Sequence, residues 1–285
     1  MMPFGVAVWL AAGIAVLQGV PGVVQVGRVT AVYWSGDEGI AAALAELADR
    51  PYEWPGIGTF APDELRLIVA RRRIFDSVTA GRVPGWGAGA AFPGSKTVVV
   101  RLGGDARRVL KHELAHLALH SVVRRPPRWF DEGYAAFAAG EWGRLDALRV
   151  NLEILRGRIP DLRELDAALR AGTGEAEAAY ALATTAVLLL NRLGGPRGLE
   201  PLIKALSSGE DFDGALRITY GMTLGQFETL WREDLRGRYG WLVLGTSLAV
   251  LWAVVLAVVG TVWGLRRRRY REKKKALDEG WVVDA

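Results

Sequence analysis

Residues 109–137 read VLKHELAHLALHSVVRRPPRWFDEGYAAF and contain all three histidines of the chain, His112, His116 and His120. The first two histidines frame the string His-Glu-Leu-Ala-His, which is an H-E-x-x-H motif. Residues four apart lie on one face of an α-helix, about 6 Å apart along its axis, so both imidazoles can bind one metal ion. The motif therefore predicts a helix that carries two ligands of a single zinc ion.

The residues around the motif favour this helix. Residues 105–119 are mainly Ala, Leu, Lys, Arg and Glu, contain no Pro or Gly, and begin with Asp105 as a possible N-cap. Glu113 follows His112 directly, so its carboxylate can reach a metal-bound water without being a ligand itself. This placement is typical of a general base.

A third ligand must come from elsewhere in the chain. His120 lies about 12 Å along the axis from His112, too far to share one ion, so it either supports the site from outside or lies exposed at the helix end. The better candidate is Glu132, sixteen residues beyond His116, where a helix restarts after a Pro-Pro break. Asp131 is the competing ligand, because it is adjacent and chemically similar.

The string H-E-L-A-H followed by P-x-W-F-D-E-G-Y-A at 127–135 resembles the gluzincin metallopeptidases, in particular the bacterial peptidase MA-like domains. The resemblance implies His112, His116 and Glu132 as zinc ligands and Glu113 as the catalytic base. It is specific over residues 109–137 and looser over residues 30–237. Many gluzincins carry an Asp four residues after the ligand Glu, but this chain has Ala136 there. What orients the ligands is therefore left open.

The resemblance also indicates which tyrosine could stabilise an oxyanion at the metal. Tyr180 occupies a place where peptidase MA-like domains tend to have a tyrosine at a helix start, so it ranks first. Tyr134 is the alternative, and either ring could instead simply pack in a helical core.

The apolar residues concentrate at the two ends of the chain. Hydrophobic residues make up 51% of the 285, and neither residues 2–27 nor residues 241–265 contain a charged side chain. Each stretch is long enough to cross a bilayer, for which about 20 apolar residues suffice. Indoles stand near both ends of the second stretch, and eight positive charges against one negative follow in 266–275. The pattern predicts a transmembrane helix at 241–265 and a basic cytoplasmic tail at 266–285.

The N-terminal residues 1–27 predict a signal peptide or an N-terminal membrane segment. Either alternative places the middle of the chain outside the cytoplasm, so the expected location is the cell membrane, with the lipid bilayer as a partner. The absence of cysteine excludes a lipoprotein anchor and a disulfide framework.

The net charge of +5 gives no support to nucleic-acid binding. Residues 266–285 carry eight positive and four negative side chains, which leaves about +1 for everything before them. A nearly neutral folded part has no electrostatic footprint for a polyanion, so no nucleic-acid partner is expected.

Residues 28–120 predict a small mixed sheet with packed helices. Strands are expected at 25–34, 64–70 and 96–102 and helices at 37–47 and 71–80, with a loop at 50–61. The glycine-rich residues 81–94 read either as a loop and edge strand, along which an extended peptide could lie, or as a plain connection.

Residues 121–237 predict a helical part with breaks at Gly, Pro, Ser or Asp. Its helices are expected at 142–155, 161–169, 176–193, 198–206, 212–220 and 223–236. The predicted fold class is α+β. It comprises a zincin-like domain over 28–237, as the resemblance implies, with a small mixed sheet, a metal-site helix and a helical subdomain, followed by the C-terminal transmembrane helix.

Three functions are compatible with these patterns. The leading hypothesis is a membrane-anchored, extracytoplasmic metallopeptidase with one Zn²⁺, acting on a polypeptide substrate. An intramembrane protease is disfavoured because Arg107, Arg108 and Lys111 stand beside the motif. A non-catalytic anchored binding or assembly module is the remaining alternative, and the intact Glu113 argues against it.

Overall fold

The computed structural model describes residues 20–279 apart from 35, 81–82, 84–86, 158, 172–173 and 240. Its first half alternates strands and helices: β1 (Gly22–Val26), β2 (Val29–Tyr33), α1 (Glu38–Asp49), β3 (Tyr52–Trp54), β4 (Gly58–Phe60), β5 (Leu65–Ala70), α2 (Arg72–Val78), β6 (Gly89–Phe92), β7 (Thr97–Arg101) and α3 (Ala106–Val122).

Five of the strands form one mixed sheet in the order β1-β2-β5-β7-β6. The central strands β2, β5 and β7 are parallel, whereas β1 and β6 pair antiparallel at the two edges. The middle of β7 is the run Val98–Val100, which is fully buried. Such a continuous β-branched run suits a strand covered on both faces. The predicted small mixed sheet is confirmed.

Two hairpins differ from the sequence prediction. The strand expected at 25–34 is two strands, β1 and β2, joined by a turn in which Gly27 has φ +52°. The loop expected at 50–61 contains the hairpin of β3 and β4. In the sequence, the β-branched stretch around Gly27 predicts one continuous strand. The chain reverses there because Gly27 adopts a positive φ, which the sequence pattern does not show.

The second half is helical, as predicted, and contains α4 (Arg128–Ala139), α5 (Arg144–Leu155), α6 (Leu162–Ala171), α7 (Gly174–Leu193), α8 (Glu200–Ser207), α9 (Phe212–Tyr220), α10 (Leu224–Tyr239) and α11 (Trp241–Glu279). Helix α3 packs against β6 and β7 on one side and against α4 on the other. Helix α4 in turn packs along α7. The H-E-x-x-H helix therefore lies between the sheet and the helical half.

Gly133 permits the close contact between α4 and α7. A Cβ atom at this position would lie 2.5 Å from the backbone oxygen of Ala183 on α7. Because Gly133 follows Glu132 directly, the same close approach fixes the part of α4 that faces α3.

The predicted transmembrane helix at 241–265 is wrong. The segment forms the first part of α11, but no helix in the described part of the chain is long and apolar enough to cross a membrane.

The cell-membrane localisation with a single C-terminal span is overturned by the same finding. The expectation of a lipid-bilayer partner rests on this helix and loses its support. The predicted N-terminal segment falls largely on residues 1–19, which lie outside the described residues. The domain boundaries at 28 and 237 stay predictions.

We expect Gly133→Ala to lower the free energy of unfolding by about 1–3 kcal/mol, because the new methyl group overpacks the contact between α4 and α7. Chemical denaturation measures this change. Gly237→Ala is the matched control, since a Cβ atom on this helical glycine of α10 meets nothing within 4 Å. The control should be neutral or stabilising by up to about 1 kcal/mol, and equal losses in both variants would contradict the packing argument.

Candidate metal centre

The H-E-x-x-H motif lies on α3, which begins where the sequence predicts. The side chain of Asp105 caps the helix by accepting a hydrogen bond from the backbone N–H of Arg108 at 3.1 Å. One turn of helix separates His112 from His116, and their ring centroids lie 4.9 Å apart. Both imidazoles therefore face the same side of α3.

Glu132 comes to the two imidazoles from α4. Its Oε2 atom lies 3.7 Å from Nε2 of His112 and 3.6 Å from Nε2 of His116. One ligand atom from each of the three residues lies within 4.8 Å of the others. The two prolines before α4 set where this helix begins. Because α4 starts at Arg128, directly after Pro127, Glu132 lies in its second turn.

This donor set fits a zinc ion. Two imidazole nitrogens and one carboxylate oxygen are a set found at catalytic zinc, where a fourth position stays open for water. Two ligands each about 2.1 Å from a tetrahedral ion lie ~3.4 Å apart, close to the 3.6 and 3.7 Å observed between Glu132 and the two rings.

Asp131 contacts histidines through both of its oxygens. Its Oδ1 lies 2.7 Å from Nδ1 of His116, and its Oδ2 lies 3.0 Å from Nε2 of His120. These three residues form a second group whose ligand atoms also lie within 4.8 Å. Because Nε2 of His116 faces Glu132 and Nδ1 faces Asp131, Asp131 stands on the far side of the ring. It thus orients His116 from behind, and His120 holds Asp131.

Glu141 is a site residue that the sequence analysis missed. Its Oε2 lies 3.1 Å from Nδ1 of His112, on the far side of that ring from Glu132. Gly140 ends α4 in the left-handed conformation with φ 73°, and the N–H of Glu141 then donates to the oxygen of Ala136 at 2.9 Å. This C-terminal turn aims Glu141 back at α3. Glu141 thus supplies a carboxylate to the site, whereas Ala136, at the position where many gluzincins carry an Asp, has none.

Arg128 contacts the other oxygen of the third residue. Its Nη2 lies 3.3 Å from Oε1 of Glu132, one helical turn away on α4. The guanidinium thus occupies Oε1 and leaves Oε2 facing the two imidazoles. The sequence analysis did not predict this contact, because nothing in the sequence around Arg128 indicates it.

Glu113 is 7% exposed and lies beside the three ligand candidates. Burial raises the pKa of its carboxyl group, and the neighbouring His112 and His116 act in the opposite direction. A carboxylate with a raised pKa is a stronger base for a proton, which suits the role predicted for it.

The two candidate tyrosines lie in different places. Tyr180, on α7, lines the same pocket as Glu113 and hydrogen-bonds to Glu132, and burial together with that carboxylate raises its pKa. It therefore keeps its proton and can donate. Tyr134 instead donates to the oxygen of Pro55 at 3.0 Å and anchors the turn between β3 and β4. Only Tyr180 is placed to reach a substrate.

The electrostatics of the site favour a cation. Burial lowers the pKa of His112, but its hydrogen bonds to Glu132 and Glu141 outweigh this and raise the pKa to about 9. For Asp131 burial has the opposite effect and raises the pKa, but the contacts with His116 and His120 outweigh burial and lower the pKa to about 2. The carboxylates therefore stay ionised and stabilise positive charge on the imidazoles, whether it is a proton or a metal ion.

A pocket of about 460 Å³ opens onto these groups. It is lined by edge strand β6 with Gly87 and Ala88 just before it, and also by Arg128 and Tyr180. The sequence prediction of a glycine-rich loop and edge strand along the cleft is thus matched by the position of β6.

A helix with H-E-x-x-H, set between a small mixed sheet and a helix that adds a glutamate, is the arrangement of a zincin-like domain. The chain belongs to the Peptidase MA superfamily, whose sequence model matches residues 70–237. The match begins at the last residue of β5, ends within α10 and includes every residue of the site described above. A comparison with curated proteins gave no match.

We expect Glu141→Ala to weaken zinc binding by about 10- to 100-fold, because His112 loses the carboxylate that fixes its ring. Competition with a chromophoric chelator measures the affinity. Glu233→Ala removes an exposed carboxylate from α10 and should leave the affinity unchanged. Equal affinities for Glu141→Ala and the unaltered protein would show that Glu141 does not support the site.

Proposed function

We propose that this chain is a zinc-dependent metallopeptidase of the gluzincin type. His112, His116 and Glu132 would hold the metal, and Glu113 would act as the general base. The observation that carries the proposal is the convergence of three ligand atoms within 4.8 Å, with the Glu113 carboxylate beside them in an open pocket. Membership of the Peptidase MA superfamily supports the peptidase part.

When bound, zinc would lower the pKa of a coordinated water toward 7 and polarise the carbonyl of the substrate. Glu113 would take the proton of the attacking water and pass it to the leaving amine. Its buried carboxylate is suited to both steps, since burial raises its pKa. The hydroxyl group of Tyr180 would donate a hydrogen bond to the oxyanion that develops on the substrate.

The substrate would be a polypeptide in extended conformation. Strand β6 stands at the edge of the sheet, and among the residues that the structure describes it pairs only with β7. Its residues line the pocket beside Glu113, so an extended chain can add to its free edge with main-chain hydrogen bonds. Ala88, just before β6, and the first three residues of β6 carry no side chain larger than a methyl group, which leaves room for the substrate's own side chains.

Glu113→Gln should abolish hydrolysis but keep zinc, because the amide cannot accept the proton and is not a ligand. The measurement pairs metal content with cleavage of a mixed peptide library by the full chain, with and without the substitution. Chelation should remove the activity of the unaltered protein, and added zinc should restore it.

The possible outcomes separate the alternatives. Zinc in both proteins, with cleavage by the unaltered one alone, supports the peptidase and the role of Glu113. Zinc in both without cleavage by either favours a binding module that retains the fold. A chain that binds no zinc would refute the metal centre itself.

Tyr180→Phe should lower kcat by roughly 10- to 1000-fold with zinc retained, because one donor to the oxyanion is lost. Steady-state kinetics on one cleaved peptide measure this effect. Tyr134→Phe is the comparison: it removes the hydrogen bond to Pro55 and should cost stability while kcat stays close to normal. The reverse pattern would exchange the roles of the two tyrosines.

A further inference from the structure

Gly89, the first residue of β6, lies beside the carboxylate of Glu113. A Cβ atom built on Gly89 would lie 2.3 Å from Oε1 and 2.8 Å from Cδ of Glu113. It would also lie 2.7 Å from Cγ1 of Val109, one turn earlier on α3. Real Cβ atoms essentially never approach other atoms to less than 3.0 Å, so no side chain fits here without displacing a neighbour.

Space, and not backbone conformation, is the reason for a glycine at this position. Gly89 is absent from the glycines with positive φ, so another residue could adopt its backbone conformation. What Gly89 provides is a close approach between the edge strand and the helix that carries the metal ligands.

The strand is less free to move than the carboxylate. Gly89 pairs with the fully buried Val100 on β7, and the backbone oxygen of the preceding Ala88 accepts a hydrogen bond from Arg101 at 2.8 Å. The atoms in the way are the end of the flexible Glu113 side chain and a methyl group of Val109. An added methyl group would therefore be accommodated mainly by moving the carboxylate, while the sheet stays intact.

We propose that Gly89 is a positioning residue that sets the place of the Glu113 carboxylate relative to the metal centre. The proposal rests on the proposed function of Glu113 as the base. It assigns a catalytic reason to a glycine that stands between two alanines, Ala88 and Ala90, in the pocket lining.

Gly89→Ala should lower kcat by roughly 10- to 100-fold, because a displacement of about 1 Å at a catalytic group can cost that much. KM, zinc affinity and the melting temperature should stay close to those of the unaltered protein, since the ligands and the strand pairing remain. Gly94→Ala is the matched control, because a Cβ atom there meets nothing within 4 Å, and it should behave like the unaltered chain.

A double-mutant cycle with Glu113→Asp tests the cause of the loss. Aspartate is one methylene shorter, so its carboxylate no longer meets a Cβ atom at position 89. Glu113→Asp alone should lower kcat, and adding Gly89→Ala to it should lower kcat little further. Independent effects would instead multiply.

Three results would overturn the proposal: normal kcat in Gly89→Ala, multiplied losses in the double variant, or a loss of zinc binding or folding in Gly89→Ala that Gly94→Ala does not show. The last result would mean that Gly89 serves packing alone. Failure of the proposed function shows itself elsewhere, as an inactive unaltered protein or as full activity in Glu113→Gln, and the proposal for Gly89 then falls with it.

Discussion

Everything at this site depends on pairing buried carboxylates with imidazoles. Taking an ionised group out of water costs several kcal/mol unless a partner of opposite charge or a hydrogen bond compensates for it. Here each imidazole nitrogen of His112 and His116 faces a carboxylate: Glu132 on the inner side of both rings, and Glu141 and Asp131 on the outer sides. The pairs fix the rings before any metal arrives, so the protein itself determines where a cation can bind.

The fold serves this arrangement through the position of one helix. Helix α4 supplies Asp131, Glu132 and, just past its end, Glu141, so all the carboxylates that face the rings come from one continuous segment. Gly133 lets α4 press against α7, which brings Tyr180 to the same pocket. Gly89 lets the sheet approach α3. Each of these two glycines thus permits one of the close packing contacts around the site.

The parts of this molecule that sequence reasoning predicted are those set by local spacing. The i, i+4 histidines, the Asp105 cap and most helix and strand positions follow from periodicity and from cap and breaker residues, which act over a few residues. Glu132 was preferred from the helix that restarts after the Pro-Pro break, and the resemblance to known peptidases implied the same residue, but nothing local decides between it and the adjacent Asp131. Glu141 was missed because its role depends on the left-handed turn at Gly140, and Gly89 because its contact is tertiary. The helix at the C-terminal end was predicted as a span from its apolar run, its flanking indoles and the basic residues after it, and this prediction is contradicted by the finding that no helix in the described part of the chain could cross a membrane.

The turn at Gly140 also limits which insertions and deletions this part of the chain can tolerate. Surface connections between helices commonly tolerate insertions and deletions, and the link from α4 to α5 is such a connection. In this chain, however, Glu141 is held in register by the hydrogen bond from its N–H to Ala136. A single added or lost codon between the end of α4 and Glu141 would aim this carboxylate away from His112, so this short link should vary in length far less than its place on the surface would suggest.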